Sequence, residues 1–225
     1  EFSSICKKEG YSILTINGIF TNNKEADANR QALDDRLLET YEQESVKVDY
    51  LFNPSHLAGL GDLVVAGYQK YFDTETVKDY DLIEMLRDAS EKVTTQKILL
   101  VAHSQGNFYA NSFYDLVAGR AGGAPSESIG VYAVATPASR VAGGGKWLTS
   151  DTDMVIAGAV ASLPFRSIMT PNTHIETGFE DKSFGHDFAG VYLKNRGDVI
   201  VSDIEASLGV LKSNSIQDEA KPCLA

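Results

Sequence analysis

Ser104 stands in the run KILLVAHSQGNFYANSFYDLV, Lys97 to Val117, where an apolar segment, Ile98 to Val101, passes into a helical one with almost no residues between. A serine hydroxyl is a weak nucleophile until a neighbouring base takes its proton, and the base needs an acid to orient it. His174 and His186 follow Ser104, whereas His56 and His103 precede it. Where a serine occupies a strand-to-helix corner, the chain order is serine, then acid, then histidine. His186, in SFGHDFAGVYL, lies in a glycine-containing loop just ahead of a helical stretch and is the preferred base. His174, in TPNTHIETG, is the other candidate, or else a surface histidine. The acids to weigh are Asp151 and Asp153 in LTSDTDMVIAG, with Asp153 preferred because it directly precedes the apolar MVIAG. Asp181 and Asp187 rank below them; Asp187 adjoins His186, and adjacent residues rarely orient each other's side chains. Each aspartate has the alternative reading of a solvated loop residue or helix cap.

A corner of this kind brings backbones together, so the residues two before and two after the serine must be small. Here they are Ala102 and Gly106, and AHSQG fits the nucleophile-elbow pattern G-x-S-x-G with Ala in the first place. The pattern alone is weak; a buried strand before it and a helix after it make it stronger. The competing reading is that Ser104 only caps the helix. An oxyanion needs backbone N–H donors. One is expected from Gln105, the other from Ile19 in YSILTINGIFTN, where Gly18 lets the chain bend towards Ser104. The alternative there is an ordinary Asn-Gly turn.

These residues need a frame. Strands are expected at Tyr11–Ile16, Val46–Phe52, Ile98–His103 and Ile129–Ala135, with a short strand candidate at Met154–Ala157. Helices are expected at about Glu25–Gln43, His56–Phe72, Tyr80–Lys92, Gln105–Val117, Gly185–Lys194 and Val199–Lys212. AGRAGGAPSES and the Gly143–Gly145 run read as loops. Strands alternating with helices imply an α/β fold with a mostly parallel sheet, helices on both faces, and a site at the carboxyl ends of the strands.

The formal net charge of −11 argues against a nucleic-acid partner, which requires clustered Lys and Arg. No apolar run is long enough to span a bilayer as a helix. Gly143-Gly144-Gly145-Lys146 lacks phosphate-loop spacing, and Trp147 follows it. The two cysteines, Cys6 and Cys223, have no close partner in sequence, so no metal site is expected. A disulfide between them favours a secreted or periplasmic home. Two unpaired thiols fit the cytoplasm as well, and both readings stay open. The first residues show no charged-then-apolar leader, while Glu1 and Phe2 read equally as a cloning remnant, which leaves a removed signal open.

With AHSQG, INGIF, Ala135-Thr136-Pro137 and the order Ser104, Asp153, His186 in view, the chain resembles the α/β-hydrolase superfamily. Within it, the likeness is to small bacterial lipases and esterases with an A-H-S-x-G elbow. INGIF is similar to their H-G-x oxyanion segment, with Asn17 where His is usual. The resemblance implies one compact α/β-hydrolase domain over residues 1–225, with a small cap or insert at about 155–183 that could equally be core. It implies a carboxylic ester hydrolase, esterase or lipase, acting on a small-molecule ester or lipid with no metal or cofactor. Ser104 is then the nucleophile, His186 the base, Asp153 the orienting acid, and the Ile19 and Gln105 N–H groups the oxyanion donors. Phe20, Phe108 and Phe165, with Tyr109, are candidates to line an acyl site, or else core residues. The same side chains serve thioesterases, amidases and acyltransferases, and an inactive binding module on this fold is the reading from a different class. Acyl length, oligomeric state and location stay open.

Overall fold

The apolar runs that alternate along the chain assemble into an α/β structure around one mostly parallel sheet. The computed structural model describes residues 9–18, 21–51, 79–162, 167–178 and 180–213. Its strands are β1 (Tyr11–Ile16), β2 (Thr40–Tyr41), β3 (Glu44–Leu51), β4 (Lys97–His103), β5 (Ile129–Val134) and β6 (Trp147–Leu148). The sheet order is β2-β3-β1-β4-β5-β6, and only β2 runs antiparallel to its neighbour. The helices are α1 (Asn23–Asp34), α2 (Asp79–Lys92), α3 (Gly106–Val117), α4 (Met154–Ser162) and α5 (Lys194–Gly209). A π-helix, Phe188–Leu193, runs directly into α5.

β1 and β4 are buried along their whole length, as central parallel strands covered on both faces must be. Residues of alternate parity face opposite sides. Ile13, Leu99, Val101, Tyr132 and Val134 meet Leu33 of α1, Tyr192 of the π-helix and Ile200, Ile204 and Leu208 of α5. On the other face, Leu14, Ile16, Ile98, Leu100 and Val131 meet Leu82, Met85 and Ala89 of α2 and Tyr109, Ala110 and Phe113 of α3. The register aligns the strand ends: Ile16 pairs with Leu51 and Ala102, and Val134 with His103 and Leu148. The turns after β1, β4, β5 and β6 therefore lie along one carboxyl edge.

Several elements differ from the sequence expectation. Helix α1 ends at Asp34, not near Gln43, because the chain then makes a hairpin between β2 and β3. Its two turn residues, Glu42 and Gln43, both have positive φ, 49° and 69°, the signature of the primed turns that match strand twist. β3 accordingly starts at Glu44, two residues early. Met154–Ala157 is not a strand but the first turn of α4, nucleated by Asp153. The Asp153 Oδ1 accepts the Val155 and Ile156 N–H groups at 3.1 Å each, and its carbonyl accepts the Ala157 N–H at 2.9 Å. β6 follows the glycine run and escaped the sequence reading, being only two residues long. The last two helices are one element, the π-helix continuing into α5 across a kink at Arg196. The expected helix His56–Phe72, together with Phe52, Cys6 and Cys223, lies outside the described residues.

Candidate active site

Ser104 occupies the corner between β4 and α3, with φ +58°, a left-handed conformation that costs a side-chain-bearing residue on the order of 1–2 kcal/mol. The surroundings hold it there. The Ser104 N–H donates to the Val134 carbonyl at 3.1 Å. Asn107 Nδ2 donates to the carbonyls of both Ser104 (2.8 Å) and Val134 (3.1 Å), tying the corner to the end of β5. A Cβ on Gly106 would fall 2.4 Å from the Ile16 carbonyl oxygen, so only glycine lets α3 start this close to β1. A Cβ on Gly18 would fall 3.3 Å from both Cβ and Oγ of Ser104, and 3.6 Å from the Gln105 nitrogen. The turn after β1 thus closes over the serine.

His186 reaches the corner from the loop ahead of the π-helix. Gly185, with φ +79°, packs there so tightly that an added Cβ would sit 3.0 Å from the Thr152 carbonyl oxygen. His186 Nε2 lies 2.7 Å from Ser104 Oγ, and Nδ1 lies 2.8 Å from Asp153 Oδ2. All three residues are buried, and the Asp153 side chain has no exposed surface. A buried carboxylate is tolerated only when its lone pairs are satisfied. Here Oδ1 takes the two amides of α4, while Oδ2 takes His186 Nδ1–H and, at 2.8 Å, the phenol of Tyr192. Since an ionised carboxylate only accepts, Nδ1 carries the imidazole proton. Nε2 is then the lone-pair nitrogen, placed to take the serine proton.

The other candidates separate from this group. Asp151 and His174 are exposed and pair with each other, Oδ1 to Nδ1 at 2.8 Å. Asp181 bonds to Ser183 and to the Gly185 amide, which holds its carboxyl below the ordinary range against the opposing effect of burial. Asp187 caps the π-helix through the Gly190 N–H. Gln105 is the N-cap residue of α3, so its amide belongs to the positive end of that helix, beside the serine. Phe108 is buried against Ala138, Val155 and Ala159, and also walls a cleft with Asn111, Ser112 and Arg140. Tyr109 is a core residue on the α2–α3 side. Ile19, Phe20 and Phe165 lie outside the described residues.

Three further residues stand at the site, Tyr192, Asn107 and His103. The His103 ring faces His186. Its Nε2–H donates to the His186 carbonyl at 2.7 Å, and the two rings lie 4.9 Å apart. Burial first, and the neighbouring His186 second, push the His103 imidazole down to about 3, so it is neutral and serves as a fixed strut for the loop. Its position before the serine was the available signal. Tyr192 gave none, since FAGVYL reads as plain core. Among the described residues no cluster of His, Cys, Asp and Glu is suited to a metal ion, and no helix is long and apolar enough to cross a membrane. No family model matches the chain, and no curated protein matches it significantly.

Proposed function

We propose that the protein is a serine hydrolase of carboxylic esters, an esterase or lipase on an α/β-hydrolase fold, working through an acyl-enzyme. The observation that carries this reading is the unbroken hydrogen-bonded line from Asp153 through His186 to Ser104, at 2.8 and 2.7 Å, ending on a serine in a strained strand-to-helix corner. Helix caps need no histidine behind them, and strained backbone at such a point is a reason to look for chemistry.

In the reaction, Ser104 Oγ forms a bond to the ester carbonyl carbon while its proton passes to His186 Nε2. The carbonyl π pair moves onto oxygen. The Gln105 N–H, at the head of α3, meets that charge, and Ile19 remains the proposed second donor, supported by the closeness of Gly18 to Ser104 and Gln105. Collapse of the intermediate breaks the ester C–O bond, and His186 returns the proton to the departing alkoxide. Water then repeats the sequence on the acyl-enzyme, freeing the acid and restoring the serine. Asp153 stays ionised throughout and keeps Nδ1 protonated. An apolar acyl or alcohol group is favoured by Met154 and Phe184, which are joined by a 3.0 Å backbone hydrogen bond beside Asp153 and His186 and are 58% and 50% exposed.

The test is hydrolysis of p-nitrophenyl esters from short to long acyl chains by wild type and Ser104→Ala. Activity in the wild type that disappears in Ser104→Ala is expected, with the chain-length profile separating esterase from lipase. A folded wild type inert towards every ester, or a Ser104→Ala variant as active as wild type, overturns the proposal. Thioesters and amides in the same format test the related acyl-transfer chemistries.

A further inference from the structure

Asp153 Oδ2, the oxygen that faces His186, has a second partner that the proton transfers do not use. Tyr192 lies in the π-helix, where its N–H donates to the carbonyl of Asp187, five residues back, at 3.1 Å. The phenol is held at both ends: its oxygen accepts the Ser150 N–H at 3.0 Å, and its hydrogen goes to Asp153 Oδ2 at 2.8 Å. Burial, reinforced by the charge of Asp153, pushes ionisation of this phenol far up, so it remains a donor. Oδ1 is occupied by two amides of α4. The one oxygen that faces His186 is therefore shared with Tyr192.

Two consequences follow from that sharing. A carboxylate pinned on both oxygens cannot rotate away from Nδ1. A donor to the charged carboxylate also lowers its basicity, so it pulls less strongly on the imidazole proton. We propose that Tyr192 is a positioning residue of this site: braced by the Ser150 amide, it fixes the Asp153 carboxylate and limits its hold on His186 Nδ1–H. The inference rests on the reading of Ser104, His186 and Asp153 given above. Tyr132 supplies the comparison. It is an equally buried phenol in the same core, but it bonds to Asp203 (3.1 Å), which also takes Lys146 and no residue of the Ser104 group.

The experiment compares wild type, Tyr192→Phe and Tyr132→Phe by two readouts: the low-field proton resonance of His186 Nδ1–H, which needs no turnover, and ester kinetics. In Tyr192→Phe, Oδ2 is left to His186 alone, so the resonance moves downfield. kcat falls on the order of tenfold while KM holds, the scale of a lost hydrogen bond to a charged group. Tyr132→Phe leaves the resonance and kcat in place. 3-Fluorotyrosine at position 192 keeps the shape but makes the phenol a stronger donor, and moves the resonance upfield; it also serves if Tyr192→Phe fails to fold. A folded Tyr192→Phe protein with an unmoved resonance, or a fluorotyrosine protein with none of the opposite shift, overturns the inference. An inert wild type whose resonance still responds to position 192 removes the hydrolase reading and keeps the link from Tyr192 to Asp153.

Discussion

Replacing Asp153 by Asn changes one atom, and the hydrogen bonds around it determine what that does. The amide must present its oxygen to one pair of donors and its NH2 to the other. The Val155 and Ile156 N–H groups cannot turn away, because they are the first amides of α4, each 3.1 Å from Oδ1. The oxygen therefore stays with them and the NH2 faces His186 Nδ1 and the Tyr192 phenol. The imidazole answers by becoming an acceptor at Nδ1 and moving its proton to Nε2, which then has no lone pair for Ser104. Where an amide replaces the acid in this way, the loss is about four orders of magnitude in kcat. Asp151→Asn alters an exposed pair with His174, worth at most about 1 kcal/mol, and leaves kcat within a fewfold. Steady-state hydrolysis of the best p-nitrophenyl ester, with thermal unfolding to confirm the fold, measures both. Comparable kcat values for Asp153→Asn and wild type, or a larger loss from Asp151→Asn, would refute the tautomer argument.

Three further outcomes are expected. Ser104→Gly abolishes turnover yet is more stable than Ser104→Ala by about 1 kcal/mol, because only glycine is free of the cost of φ +58°; differential scanning calorimetry should place its Tm about 2–4 °C higher. Gly106→Ala drives a methyl to 2.4 Å from the Ile16 carbonyl oxygen and lowers stability by about 1–3 kcal/mol, read as a drop in the urea midpoint. His103, depressed when folded, leaves the unfolded chain binding a proton that the folded chain refuses. Its contribution is thus intact above about 6.5 and declines as pH falls towards 3, by up to about 1.4 kcal/mol per pH unit; His103→Gln should lose less Tm than wild type between pH 7 and pH 5.

The parts of the structure legible in the sequence are those in which local pattern and tertiary role agree. KILLVAH and YSILTI are buried on both faces, so an apolar run and a central strand are the same signal. The corner was legible because Ala102 and Gly106 are the small residues that close approach requires. The pairing of Asp153 with His186 was legible, but the hold of Asp153 on the first amides of α4 was not, so MVIA reads as a strand when that carboxylate makes it a helix. The hairpin at Glu42-Gln43 was hidden because positive φ there falls on residues that do not advertise it. Tyr192 was hidden because its work depends on the register of a π-helix, which leaves no mark on apolar periodicity.

The separation of Ser104 from His186 by 82 residues bears on biosynthesis. A growing chain completes β4 and the corner long before residues 183–209 emerge from the ribosome. Until the π-helix and α5 settle beside α1 on their face of the sheet, the His186 imidazole does not stand behind the Ser104 hydroxyl. On the proposed hydrolase reading, reactivity towards a serine-directed acylating probe therefore requires that docking, and in refolding it should appear no earlier than helix content.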